Sequence, residues 1–436
     1  MDEVTLSEVL AAREKRVLHQ KCLLEKYGFP LVSFTMNIAG PVKTDDYSRC
    51  AFLMGKDRLL AAVKSMGFPV AAFEDNSSAA GFEMLLAVDA PAAELKKICT
   101  LLEDAEPVGR LFDMDVIGTD GEKLSRSEER RCLVCGKTGR ECASRRIHPV
   151  AELQQITRRI IRDYFREADG REIASFAVRS LLDEVCVTPK PGLVDCSGSG
   201  SHRDMDIYSF NASASVLWPY FKTCFDKGVL FSELSPEKIL PLLKPFGLEA
   251  ERVMFAATGG VNTHKGAVYT LGILCAAAGR LWSVGKRPDV CSWLHFCGDI
   301  ASPNAGPGVR EELASGLPSV QNIALPALRR AEEAGLSFND RCLYVLLHLI
   351  AEVRDTNMLC RGGEEKALAA RLMVKEYLRS FRLSAADTFP QSGLSELNEF
   401  FISENLSPGG CADLLSATLL VSRWSFDHTG GENETL

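Results

Sequence analysis

The chain has 436 residues, 46% of them apolar and 25% charged, with a formal net charge of −8. That is a globular composition, too long for one ordinary core, and it predicts two or three domains while arguing against a broad nucleic-acid surface. Fifteen cysteines behind a charged, amphipathic start (MDEVTLSEVLAAREKR) point to a reduced cytoplasmic protein, and no stretch is long and charge-free enough to span a bilayer.

Residues 5–27 read as a helix ended by Gly28 and Pro30. LVSFTMNI (31–38) reads as a strand, followed by a helix over about 48–64 and a short strand AAFEDN (71–76). GFEMLLAVD (81–89) is a strand, PAAELKKICTLLEDA (91–105) a helix with Pro91 near its first turn, and RLFDMDVIG (110–118) a last strand. The order β-α-β-β-α-β predicts an α+β, ferredoxin-like domain with flanking helices. From about Gln154 helical spacing takes over, in QQITRRIIRDYFREADG, EIASFAVRSLLDEVC, YSFNASASVLWPYFKTCFDKG and RLMVKEYLRSF. The second half is therefore expected to be an all-α bundle with a site built from its loops. The boundary falls within 125–170, a locally basic segment.

Asp113 and Asp115 stand two apart on a strand and share a face. A divalent cation would relieve their repulsion, as Mg²⁺ does in phosphate chemistry; a salt-bridged surface pair is the alternative. NIAGPVK (37–43) offers a Gly-Pro turn and Lys43 to a diphosphate, or is an ordinary turn. Cys132, Cys135, Cys142 and His148 follow the spacing C-x₂-C-x₆-C-x₅-H. They could close a tetrahedral zinc site, or be buried or ligand-facing cysteines of a small lobe. Arg130, Arg131, Arg145 and Arg146 suit several phosphates, or a solvated basic surface.

Four blocks in order, SFTMNIAGPVK, GRLFDMDVI, SRSEERRCLVC and CASRRIHPVAEL, resemble the apo-citrate lyase phosphoribosyl-dephospho-CoA transferase family over about 5–165. The resemblance implies attachment of the citrate lyase prosthetic group to a serine of the acyl-carrier (gamma) subunit, with release of diphosphate. It places Asn37, Gly40, Lys43, Asp113, Asp115, Arg130, Cys132, Cys135, Arg145, Arg146 and His148 in recurrent blocks; it does not itself call for zinc, which stays the lesser alternative at Cys132, Cys135, Cys142 and His148. A first domain over 1–165 follows.

In EVCVTPKPGLVDCSGSGSHRDMD (184–206) two prolines hold the chain extended around Lys190, a candidate phosphate ligand. Asp195, His202, Asp204 and Asp206 form a dense acid-imidazole cluster suited to Mg²⁺ rather than zinc; Asp204 or Asp206 could instead cap the next helix. TGGVNTHKGAVYTLG (258–272) puts His264 and Lys265 where an apolar helix begins, with Asn262 or Thr263 as N-cap. Such a terminus favours phosphate. Lys265 precedes Gly266, which excludes a P-loop, and a plainly capped core helix is the alternative. VRDTNMLCRGG (353–363) adds Asp355, Asn357 and Arg361, PNAGPGVREEL (303–313) leads to Glu311 and Glu312, and NLSPGGCADLLSATLL (405–420) carries Asp413.

TPKPGLVD, SHRDMD, GVNTHKGAVYTLG, DTNMLCRGG and SPGGCADLL resemble triphosphoribosyl-dephospho-CoA synthase over about 168–425, which marks a second domain. The resemblance implies ATP and 3′-dephospho-CoA as substrates, the dephospho-CoA 2′-hydroxyl displacing adenine from C1′ of the ATP ribose. From residue chemistry, Asp204, Asp206 and Asp355 are expected to hold Mg²⁺, as Asp113 and Asp115 do in the other domain. Lys190, Asn262, Lys265, Asn357, Arg361 and Asp413 are expected to hold substrate, with His202, His264 and Asp204 in catalysis. Rival readings are the equivalent maturation of malonate decarboxylase, a non-catalytic accessory protein of the carrier subunit, and a nucleotide hydrolase using water.

Overall fold

The structure, a computed structural model, describes residues 3–126, 128–302, 306–380 and 389–426. Ser127 of SRSEERRCLVC, residues 303–305 of PNAGPGVREEL and Phe381 of RLMVKEYLRSF lie outside them. The chain divides into two compact units, Met1–Ala168 and Asp169–Leu436.

In the first unit, helix α1 (Leu6–Tyr27) starts on a Thr5–Glu8 capping box and stops at Gly28, whose φ of 70° suits glycine. There follow β1 (Leu31–Met36), α2 (Asp46–Ser65), β2 (Val70–Asp75), β3 (Glu83–Val88), α3 (Ala92–Asp104) and β4 (Phe112–Ile117). The strands form one antiparallel sheet in the order β2-β3-β1-β4. On one face Leu59 and Val63 of α2 and Leu95 and Cys99 of α3 pack with Phe34, Met84, Leu86, Phe112 and Met114. On the other, Leu23 of α1 covers Leu31, Leu85, Ala87 and Ile117. β3 is buried along its length, as its apolar run from Met84 to Val88 requires, whereas β2 lies at the sheet edge and stays largely wet. The alternation of β4 sends Phe112, Met114 and Val116 into the core and leaves Asp113 and Asp115 on the opposite face. A short helix α4 (Gly139–Ser144) precedes α5 (Val150–Cys186), which carries the chain into the second unit.

The second unit continues through α6 (Ile207–Val216), α7 (Trp218–Leu230), α8 (Ile239–Ala257), α9 (Lys265–Arg280), α10 (Val290–Ala301) and α11 (Val309–Ala314). It ends with α12 (Leu325–Glu333), α13 (Phe338–Glu352), α14 (Thr356–Ser380), α15 (Gln391–Ser403) and α16 (Gly409–Phe426). No strand occurs among its described residues. α9 is the central element: apolar all round, it is buried from Ala267 to Gly279 except at Tyr269. α7 reaches it at backbone contact, because a Cβ on Gly228 would run into the Ala276 carbonyl and one on Gly279 into that of Phe225. α14 breaks at Gly363, where φ is 83°. No described helix is long and apolar enough to cross a membrane, and the fifteen cysteines are free thiols.

Candidate functional site

Each unit carries a cavity whose described lining residues belong to that unit. The cavity of the first unit, about 850 Å³, opens on the β4 face that bears Asp113 and Asp115. Glu103, at the end of α3 and 1% exposed, organises its wall. It accepts the Met114 N–H at 2.7 Å, pairs with Arg130 and faces Arg126 Nη1 at 3.7 Å. Arg130 is thereby brought 3.9 Å from Asp113, and Lys123 pairs with Asp115. With Arg110, Arg131, Arg140 and Arg146 also in the lining, cations outnumber carboxylates, which suits a polyanionic ligand.

Among the residues singled out in the sequence, Asn37, Asp113, Asp115, Arg130, Arg146, Cys132, Cys142 and His148 line this cavity. Lys43 does not: half-buried, it donates to the Ile38 carbonyl at 2.6 Å and closes its own loop. Burial, and then Arg13, lower its pKa. Arg145 points to solvent and pairs with Glu141 at 2.9 Å, one turn back. Glu103, Lys123 and Arg126 were not singled out as site residues; the fold recruits them to the wall. Cys132, Cys135, Cys142 and His148, 16 positions apart in sequence at most, converge so that one ligand atom of each lies within 4.8 Å of the others. The Lys137 backbone N–H, and then His148, bring the Cys135 thiol down to about 6.

The cavity of the second unit, about 470 Å³, lies where three helices begin. α9 presents Lys265 and Gly266 to it, α14 Thr356 and Asn357, and α16 Gly409 and Gly410. Helix dipoles make such starts attractive to phosphate, although Asp355 already takes the N–H groups of Asn357, Met358 and Cys411 at two of them. Glu184, on the last turn of α5, has its carboxylate buried on Lys190, whose ammonium donates to Glu184 Oε1 at 2.5 Å and to the Glu184 carbonyl at 2.7 Å. His264, the first residue before α9, is 3% exposed. Its Nδ1 is 2.7 Å from Ser213 Oγ, Phe210 meets its ring edge-on, and its buried Nε2 has no hydrogen-bond partner among the described residues. Burial, and then the Lys190 ammonium, push its pKa down to about 3, so the imidazole is neutral. Asp413 also faces the cavity, close enough to Gly266 that a Cβ there would run into its carboxylate. Burial, with Glu184 and Asp355 adding to it, raises the Asp413 pKa well above the usual range.

Lys190, His202, Asn262, His264, Lys265, Asn357, Arg361 and Asp413 all line this cavity, whereas Asp195, Asp204, Asp206 and Asp355 do not. Each of these four has a local structural contact. Asp206 is the N-cap of α6 and accepts the Ser209 N–H at 2.9 Å in a capping box. Asp195 accepts the Lys190, Ser197 and Gly198 N–H groups and so shapes its own loop. Asp355, buried, accepts the N–H of Asn357 at 2.7 Å and of Met358 at 3.1 Å at the start of α14, and that of Cys411 at 2.9 Å in α16. Asp204 is exposed, 4.0 Å from His202 Nδ1. The expected Mg²⁺ set Asp204, Asp206 and Asp355 is therefore not assembled here. His202 bonds Ser407 Oγ at 2.9 Å, and Arg361 ties the Ser201 and Asn405 carbonyls together, at 2.5 and 3.0 Å. Burial, and then Arg361, lower the His202 pKa. Neither Asn262 nor Thr263 occupies the N-cap position of α9; His264 does, although Asn262 Oδ1 accepts the Lys265 N–H at 3.3 Å. Glu184, Arg310, Ser407 and Ser416 also line it; they stand inside the motif blocks, but the sequence did not single them out as site residues.

The profile of the family described as apo-citrate lyase phosphoribosyl-dephospho-CoA transferase (CitX) matches residues 4–164. That of the ATP:dephospho-CoA triphosphoribosyl transferase family (CitG) matches residues 170–297 and 296–429. The chain is 30% identical to Protein CitXG of Haemophilus influenzae, over 96% of both chains. It is 30% identical to Protein CitXG of Leuconostoc mesenteroides subsp. cremoris, over 97% of both. It is 38% identical to the 2-(5''-triphosphoribosyl)-3'-dephosphocoenzyme-A synthase of Klebsiella pneumoniae, over 58% of this chain and 91% of the synthase.

Proposed function

This chain belongs to the ATP:dephospho-CoA triphosphoribosyl transferase family and, along nearly its whole length, to that of the CitXG proteins; on that premise we propose a bifunctional transferase of citrate lyase maturation. The second unit joins ATP to 3′-dephospho-CoA and releases adenine. The first moves the phosphoribosyl-dephospho-CoA group onto a serine of the apo-citrate lyase acyl-carrier (gamma) subunit and releases diphosphate. The β-α-β-β-α-β order and the sheet order support reading the first unit as a ferredoxin-like domain over about 1–165. The second supports a helical bundle over about 168–425.

One observation carries the synthase reading: three helix starts, Lys265 and a buried imidazole with a free Nε2 meet in one cavity. The helix starts and Lys265 hold the triphosphate. With Nδ1–H given to Ser213 Oγ, His264 Nε2 keeps its lone pair for the proton of the attacking 2′-hydroxyl, and the incoming triphosphate raises its basicity. Asp413, whose raised pKa keeps a proton available, supplies it to the departing adenine. Lys190 is not free to bind phosphate; it neutralises Glu184 beneath the site.

In the first unit the arginine-rich wall neutralises the diphosphate as it leaves, with Arg130 oriented by Glu103. Asp113 and Asp115, part-exposed on one face of the cavity, fit a Mg²⁺ that would add charge neutralisation on that diphosphate when bound. Incubating apo-carrier subunit with this protein, ATP, Mg²⁺ and dephospho-CoA tests both activities. The expected result is the full prosthetic-group mass increment on the carrier and adenine release that depends on dephospho-CoA. Adenine release without dephospho-CoA, or an unmodified carrier, would refute the proposal.

A further inference from the structure

Cys132, Cys135, Cys142 and His148 of the first unit form a cluster that neither proposed reaction uses. Cys132 and Cys135 sit on a tight hairpin: the Cys132 N–H donates to the Lys137 carbonyl at 2.7 Å, and the Gly136 N–H to the Cys132 carbonyl at 3.0 Å. Gly136 makes that turn with a φ of 70°. The Val134 N–H points at Cys132 Sγ from 3.4 Å. Cys142 comes from α4 and lies buried, its Sγ 3.5 Å from that of Cys135. His148 follows a reversal in which Arg146 takes a φ of 48° and the Ile147 N–H returns to the Cys142 carbonyl at 3.1 Å. His148 Nδ1 faces Glu152 Oε2 at 3.4 Å, and its buried Nε2 has no hydrogen-bond partner among the described residues.

We propose that Cys132, Cys135, Cys142 and His148 bind one structural Zn²⁺. Three thiolates and an imidazole are a standard closed tetrahedral set, and Zn–S bonds of about 2.3 Å put neighbouring sulfurs about 3.8 Å apart. The four ligand atoms already lie within 4.8 Å of one another, so closure asks each for a shift of under about 1 Å. A carboxylate on the far nitrogen of a zinc-bound histidine is the usual second partner, and Glu152 occupies that place. A disulfide between Cys135 and Cys142 would use two of the four groups and leave Cys132 and the His148 Nε2 without a role. Bound zinc would clamp the hairpin, α4 and the start of α5 together, fixing Arg130, Arg131, Arg140 and Arg146 at the cavity wall. That bracing role rests on the first unit's reading as a phosphate-transfer site; the metal site itself does not.

The test is elemental analysis of the full chain purified from zinc-supplemented medium, with Co²⁺ substitution in parallel. Expected are about one zinc per chain, thiolate-to-cobalt charge-transfer absorption in the Co²⁺ protein, and near-zero zinc in C132S/C142S. Wild-type protein without zinc, wild-type protein with a Cys135–Cys142 disulfide by mass spectrometry, or a double variant that keeps its zinc would each overturn the proposal. Because stoichiometry and spectrum are read on the wild-type protein, a variant that fails to fold leaves the test intact. Carrier modification measured on the zinc-depleted protein, supplied with the synthase product, tests the bracing role: a loss of tenfold or so supports it, and unchanged transfer removes it while leaving the metal site.

Discussion

Lowering the pH should destabilise the second unit through His264. In the unfolded chain this imidazole titrates near 6.5, whereas in the folded unit it stays neutral down to about 3. Its folded pKa is depressed, so below pH 6.5 the unfolded state takes up a proton that the folded state does not. The contribution of neutral His264 is full above 6.5 and falls by about 1.4 kcal/mol per pH unit on the way to 3. From pH 7.5 to 5.0 that amounts to about 2 kcal/mol. His348, pushed down to about 4 mainly by burial, and His202, lowered for the same reason, act in the same direction. Comparison with His264→Asn subtracts them. The assay is urea unfolding followed by tryptophan fluorescence, which reports this unit alone because Trp218, Trp282, Trp293 and Trp424 all belong to it. Wild type should lose about 2 kcal/mol more than the variant between the two pH values. Equal losses would refute the picture of a buried, neutral His264.

Asp355→Ala removes the acceptor of three backbone N–H groups at two helix starts and should cost the second unit about 2–4 kcal/mol in the same fluorescence assay. Gly266→Ala drives a methyl into the Asp413 carboxylate; it should destabilise by about 1–3 kcal/mol and lower adenine release by tenfold or so, with carrier modification unaffected when the synthase product is supplied. Arg130→Met should lower transfer to the carrier by about 10²-fold and leave adenine release unchanged; equal rates for wild type and variant in the transfer assay would remove Arg130 from the site.

The strands and helices of the first unit were legible because their signals are local. β4 alternates cleanly, β3 is apolar from Met84 to Val88, and Gly28, Pro30 and Pro91 punctuate the chain. The loops that build the second cavity were legible too, since Lys190, His202, Asn262, His264, Lys265, Asn357, Arg361 and Asp413 reach it from four separated segments. What misled was aspartate. The same short carboxylate that suits a hard cation is also among the best helix caps and turn formers, and a sequence does not say which N–H groups will reach it. Asp195, Asp206 and Asp355 went to backbone, and Asp413, placed inside a helix where no cap was needed, went to the cavity. Glu184 escaped notice for the opposite reason: on the last turn of a long helix it resembles any solvent-facing glutamate until Lys190 folds back on it.

That the described lining residues of each cavity all fall on one side of residue 168 bears on how such a protein is inherited. A recombination event near residue 168 would part the coding sequence without cutting through either set of lining residues. Selection could then join or separate the two activities with no intermediate ancestor carrying a half-built site, and mutations in one half could accumulate with little penalty in the other. Relatives that match only the latter part of the chain, such as the Klebsiella pneumoniae synthase, and relatives that match nearly all of it are both expected from that arrangement.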